Sequence, residues 1–199
     1  MNEQLRPNSL PLTTQAAEGL VRRRFTVAEI ESMVAKGIIA EDERFELLGG
    51  EVVPMSPKGR RHETIRCELA FLMSRQASAM LRVAAEAQFN LADDAYVVAD
   101  ILVYLAATKV PDVRGPSALL VVEIADSSLA YDLDTKAGIY AACGVRECWV
   151  VNAKTLETRV HCKPSPTGYS DVTEVPASAR LTPRAAPELA ISLGDLDLD

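Results

Sequence analysis

Apolar residues in this chain fall into two kinds of run. Between His62 and Leu81 they recur at Ile65, Leu69, Leu72, Met73 and Met80, a three-to-four-residue spacing that predicts a long amphipathic helix. Elsewhere the runs are short and bounded by turn residues, as strands are. "LRVAAEAQFNL" predicts one strand, "YVVADILVYL" a second and "ALLVVEIA" a third. The second is apolar on both faces, which suits a central position in a sheet. "RECWVVNA" predicts a further strand. In "LETRVHC" Leu156, Val160 and Cys162 alternate with Glu157, Arg159 and His161, and "YSDVTEV" reads as an edge strand.

Local signals punctuate these runs. In "TVAEIESMVAKG" Thr26 and Glu29 form a capping-box pair and Gly37 stands where a short helix would stop. In "RFELLGGEVVPMSP" two apolar runs flank Gly49-Gly50, a hairpin signal. "YDLDTKAGIYAACGV" predicts a helix capped by Asp132 or Asp134 and stopped at Gly144. Residues 1–24 read as a flexible arm from their polarity and proline content. Residues 25–199 read as a single domain that ends in an acidic tail, "LGDLDLD", mobile at its end. The order of helix, hairpin, long helix, three strands, helix and strands implies a mixed α/β class with a central sheet.

Composition narrows the setting. The 199 residues are 48% hydrophobic and 25% charged, the balance of a soluble globular protein. No apolar stretch approaches the roughly 20 residues of a membrane span, and the N-terminus lacks a secretory pattern, so a cytoplasmic location without membrane contact is the expectation. The net charge of −7 argues against a passive nucleic-acid coat, because phosphate contacts favour basic proteins. It argues less against an enzyme whose acidic metal site contributes to that charge. Four cysteines are present with no CxxC pair, and His62 and His161 are the only histidines. A zinc site from Cys143, Cys148, His161 and Cys162 matches no common spacing; buried, reduced thiols are expected instead.

Two carboxylates stand out from this background. Asp100 lies inside "VVADILVYL" and Glu123 ends "LLVVE". An ionised carboxylate in an apolar run is costly unless paired, hydrogen-bonded or metal-bound. If the two strands are neighbours, both acids emerge at one place, and a divalent cation relieves their repulsion. Mg²⁺ suits oxygen ligands and keeps waters from which a nucleophile can come. Lys136, about one turn into the next helix, can reach back toward Glu123 to orient water or offset charge on a phosphate. The competing account makes Asp100 a strand-end cap and Glu123 the partner of Lys136 or an arginine in a structural ion pair. On the residues alone, both stay open.

The segments "RFELLGGEVVPMSPKGRRH", "ADILVY", "LVVEIADSS" and "YDLDTKAGIYAACGVRECWVVN" resemble the Uma-two family of restriction-endonuclease-like proteins, in the PD-(D/E)XK nuclease superfamily. The resemblance runs from about Thr26 to the "LGDL" of the tail. It implies a central mixed β-sheet flanked by helices, with Asp100 as the motif aspartate and Glu123 as the second acid, together holding Mg²⁺ (or Mn²⁺). The superfamily's lysine usually lies two residues after that acid, where this chain has Ala125; the resemblance implies that Lys136 replaces it. Ala99 stands where proline is usual. Glu51 or Glu46 is the candidate for an additional N-terminal acid, set against a hairpin surface charge. Lys58, Arg60, Arg61, His62 and Arg66 are either a phosphate-contact patch at a helix start or a solvated loop. Ser127 and Ser128 have no histidine placed to make them nucleophiles.

The expected function is therefore a metal-dependent endonuclease that acts on DNA through Asp100, Glu123 and Lys136, working as a homodimer. The alternatives are a nuclease-fold binding or regulatory protein that no longer cuts, and a structural homo-oligomer whose acids only form ion pairs.

Overall fold

The structure is a computed structural model and describes residues 23–126 and 128–198. Most of the expected N-terminal arm and Ser127 lie outside the described residues. Helix α1 (Val27–Ala35) starts at the expected capping box: Thr26 Oγ1 accepts the Glu29 N–H at 3.2 Å, and a Glu29 carboxylate oxygen accepts the Thr26 N–H at 2.9 Å. Strands β1 (Phe45–Leu48) and β2 (Glu51–Pro54) pair antiparallel with Leu48 opposite Glu51. The two-residue loop needs left-handed backbone at both positions, which Gly49 (φ 59°) and Gly50 (φ 81°) supply.

Helix α2 (Arg60–Gln76) is shorter than the spacing predicts. It stops at Ala77, whose backbone is extended, and Leu81 opens β3 (Leu81–Ala92) instead of closing the helix. Met80 continues the helical spacing, but it lies in the intervening turn, exposed. Strand β4 (Ala95–Leu105) and strand β5 (Ala118–Ala125) follow as expected. The next helical segment is not uniform. A single turn, α3 (Leu129–Tyr131), passes into a π-helical turn (Asp132–Lys136) and then α4 (Ala137–Ala142). Strands β6 (Glu147–Asn152), β7 (Thr158–Ser165) and β8 (Gly168–Val175) complete the main sheet, and β9 (Arg180–Leu181) pairs with β10 (Ile191–Ser192) separately.

The main sheet runs β2-β1-β4-β5-β6-β7-β8, with β3 also on β4. Among the described strands only β5 and β6 pair parallel, and the helical segment between them provides the crossover that a parallel pair requires. One core lies between the sheet, α2 and the C-terminal strands, built on Ile65, Leu69, Met73, Trp149 and Leu189. A second lies on the α4 face, around Phe89, Leu102, Tyr140 and Val150. The tail is seated rather than loose through Leu198: Leu193 and Leu196 are buried and Leu198 packs against the first core, while Asp195 and Asp197 face solvent. Its alternation of leucine and aspartate is what allows this.

Cys143, Cys148, Cys162 and Cys67 are all free thiols. Cys148 opposes His161 in the β6–β7 ladder, whereas Cys162 opposes Glu147, so the two thiols lie on opposite faces of the sheet. Among the described residues they form no zinc site. No described helix is long and apolar enough to cross a membrane.

Candidate active site

The site arises where the sheet opens. Strand β3 covers one side of β4 along its length. On the other side β5 pairs with β4 from Ile101–Val122 to Tyr104–Ala118, and β1 touches it only at Leu47–Tyr96. Between these contacts that side of β4 has no partner strand among the described residues. The β4–β5 ladder stops one pair before Asp100 and Glu123, which its register would set opposite each other. Side chains satisfy the freed backbone: Asp100 Oδ2 accepts the Ile124 N–H at 2.8 Å, and Glu46 Oε1 accepts the Val98 N–H at 2.9 Å. Across β4, Glu86 of β3 has φ 48°, and the β3–β4 ladder also skips the Glu86–Asp100 pair. The opening is a cleft of about 170 Å³ lined by Glu46, Asp100, Glu123, Asp126, Asp132, Lys58, Lys136 and His62, among others.

Asp100 is almost fully buried and accepts from three donors. Oδ2 takes the Ile124 N–H and faces His62 Nε2 at 3.0 Å, while Oδ1 pairs with the Lys58 ammonium. Burial by itself would raise its pKa; the His62 hydrogen bond and the Lys58 charge outweigh that and bring it down to about 2. His62 comes from the first turn of α2, and Lys58 from the loop before it.

Glu123 faces the other half of the cleft. Its Oε1 accepts from the buried Tyr140 hydroxyl and lies 3.2 Å from Lys136 Nζ, which is also 2.9 Å from Glu46 Oε1. All four side chains are buried. Burial pushes the Glu123 carboxyl up, against the pull of Lys136, and the charges of Asp100, Glu46 and Asp132 push the same way. Burial alone would lower Lys136, but Glu123, Glu46 and Asp132 hold it well above the ordinary lysine range. The π turn carries both Asp132 and Lys136 into the protein, since both are buried, and π-helical turns of this kind are frequent at functional sites. Asp132 accepts from Ser128 Oγ at 2.5 Å, and burial raises its pKa.

The structure thus gathers Asp100, Glu123, Lys136 and Glu46 in one cleft. Glu51 pairs along the β1–β2 hairpin and is not among the cleft residues. The five basic residues at the start of α2 do not form one surface. Arg60 is exposed. The Arg61 Nε–H donates to the Ala153 carbonyl, and Arg66 pairs with Glu63, with Glu86 at 4.0 Å. Lys58 and His62 instead turn inward onto Asp100. Sequence reasoning grouped these two with the patch and gave Tyr140 no role. The signal for Tyr140 was its position, one helical turn after Lys136 on the same face.

The donors in the cleft are carboxylate oxygens, which suit a hard divalent cation such as Mg²⁺ or Mn²⁺. Among its charged lining residues five acids face two lysines, an imbalance that a cation would reduce. No three His, Cys, Asp or Glu side chains among the described residues already converge on one point. The fit is therefore to two carboxylates completed by water or substrate oxygens, as Mg²⁺ commonly binds.

The open mixed sheet and its buried acid cleft define an α/β protein with a restriction-endonuclease-like fold. Residues 28–194 match the model of the Uma2 (Uma-two) family, described as "Putative restriction endonuclease". The chain belongs to that family. A solved structure of "a putative nuclease belonging to DUF820" from Anabaena variabilis superposes with a TM-score of 0.68 over 86% of this chain and 96% of that one. At 15% identity the likeness is one of fold. No curated protein matches the chain.

Proposed function

We propose that the chain is a metal-dependent endonuclease that hydrolyses phosphodiester bonds in DNA. The observation that carries the reading is the end of the β4–β5 ladder, where buried Asp100 and Glu123 enter one solvent-accessible cleft beside the Lys136 ammonium. The family description supports the reaction class. Asp100 and Glu123 would hold Mg²⁺ (or Mn²⁺), which supplies Lewis-acid activation of water and neutralises charge on the scissile phosphate. Lys136, fixed between Glu46 and Glu123, adds preorganised positive charge to the wall of the cleft. Tyr140 orients Glu123 by donating to Oε1, and His62 and the Ile124 N–H orient Asp100 through Oδ2. The start of α2 reaches the cleft at Gly59 and His62, and its first turn has no side-chain cap. Its free N–H groups, with Arg60, would meet a substrate phosphate. Cutting both strands calls for two such sites, which a two-fold homodimer would provide; the compartment would be the cytoplasm.

The test is cleavage of supercoiled and linear DNA with Mg²⁺ or Mn²⁺. Wild-type protein is expected to nick or cut, and Asp100→Asn or Glu123→Gln to lose about 100-fold or more, the scale of losing a principal electrostatic contact in a transition state. Equal, chelator-insensitive activity in wild type and both variants would refute the reading. The alternative of a nuclease-fold binding protein that does not cut is favoured by one observation, the cover of Lys58 on Asp100. Under that account DNA is retained in a gel shift, and calorimetry detects no Mn²⁺ binding at millimolar concentration.

A further inference from the structure

We propose that Lys58 is a displaceable internal counter-ion: in the ion-free protein its ammonium occupies the metal-facing oxygen of Asp100, and divalent metal expels it toward the mouth of the cleft. The inference rests on the metal-dependent reading above and deepens it. The two oxygens of Asp100 are not equivalent. Oδ2 is committed to fixed donors, the Ile124 N–H and His62 Nε2. Oδ1 has Lys58 as its one partner among the described residues. An ion that uses Asp100 must therefore contend with Lys58 for Oδ1.

The two lysines of the cleft differ in the freedom they have to leave. Lys136 is held by two buried acids, and its side chain is 8% exposed. Lys58 has a single acid partner among the described residues, sits on the loop between β2 and α2, and its side chain is 20% exposed. Lys58 can therefore regain water without leaving a buried charge of its own unpaired, while the incoming cation compensates Asp100. Once released, its ammonium stands at the cleft mouth beside the start of α2, placed to meet a phosphate as a mobile point charge. Without metal, the same residue offsets the mutual repulsion of the cleft acids and closes the ligand position.

Two measurements test this without reference to cleavage. The first is amine-directed labelling of the wild-type protein, read by mass spectrometry, in Mn²⁺ and in NaCl of equal ionic strength. Labelling at Lys58 is expected to rise several-fold in Mn²⁺, with Lys136 unlabelled in both. The second is calorimetry with Mn²⁺. Lys58→Met is expected to bind at least about tenfold more tightly than wild type, the equivalent of removing one competing charge-assisted hydrogen bond. Asp100→Asn should bind far more weakly. If Mn²⁺ binds in an Asp100-dependent way yet Lys58 labelling does not change and Lys58→Met binds no tighter, the displacement is wrong and the metal-dependent reading stands. If neither wild type nor Lys58→Met binds Mn²⁺, both fall.

Discussion

Lys136 Nζ lies 2.9 Å from Glu46 Oε1, so the π turn is tied to the first strand of the sheet across a separation of 90 positions. The same ammonium is 3.2 Å from Glu123 Oε1. One cation therefore serves two buried acids from β1 and β5, and the arrangement is stable only while it is present.

Lys136→Met should thus be strongly destabilising, by about 3–5 kcal/mol, the scale of stranding a buried charge. Adding Glu46→Gln to Lys136→Met should recover part of that loss, because one stranded acid is then neutral. Urea unfolding of the two variants and of Glu46→Gln alone measures the coupling. Strictly additive effects would show that the contact has no energetic role.

Tyr140 is buried and donates to the same Glu123 oxygen. Tyr140→Phe keeps the packing of the ring and removes only the donor. The expected cost is about 1–3 kcal/mol, the scale of leaving a buried acceptor without its donor, with an unchanged far-ultraviolet circular dichroism spectrum. A loss within a few tenths would mean that Lys136 satisfies Glu123 by itself.

His161 and Asp100 should each withdraw stability toward acid, in two stages, against the opposite contribution of Glu123, whose raised carboxyl favours the folded state as the pH falls. Burial, with a contribution from Arg159, depresses His161 from 6.5 to about 4. The unfolded chain then binds the extra proton first, so stability is lost as the pH drops from about 6.5 to about 4 and then levels off for this group. Asp100 is depressed from 3.8 to about 2; its contribution is full above about pH 4 and disappears as the pH falls toward 2. His161→Phe should flatten the first stage and Asp100→Asn the second in unfolding curves taken across pH. A first stage unchanged in His161→Phe would assign it to another group.

Glu86 is a non-glycine residue in left-handed backbone within β3, and its side chain pairs with Arg44 at 3.1 Å. Glu86→Gly and Glu86→Ala both remove the ion pair, but only glycine adopts φ 48° without a Cβ penalty. The glycine variant should be the more stable of the two by about 1 kcal/mol. If alanine is equal or better, the strand relaxes and the skipped pair opposite Asp100 is not strained.

Much of the scaffold was legible beforehand because its causes are local. The Thr26–Glu29 cap, the Gly49-Gly50 turn and the apolar runs of β4 and β5 each announce an element within a few residues. The end of α2 was less legible: Met80 continues the helical spacing, yet extended backbone at Ala77 breaks the helix and a turn sends Leu81 into β3. The charge of the tail hides a second pattern, because its leucines face the core.

The cleft divides in the same way. Its two strand acids were visible in the sequence because a carboxylate inside an apolar run conflicts with its surroundings, a conflict that can be read one strand at a time. Which groups would resolve that conflict was decided only by tertiary structure. Lys58 and His62 reach Asp100 across 42 and 38 positions, and Val98 is bonded by Glu46 across 52. Those meetings follow from where the β4–β5 ladder stops and from β1 joining the same side of β4. Periodicity describes the face that a residue occupies on its own element; strand order and register decide what it meets there.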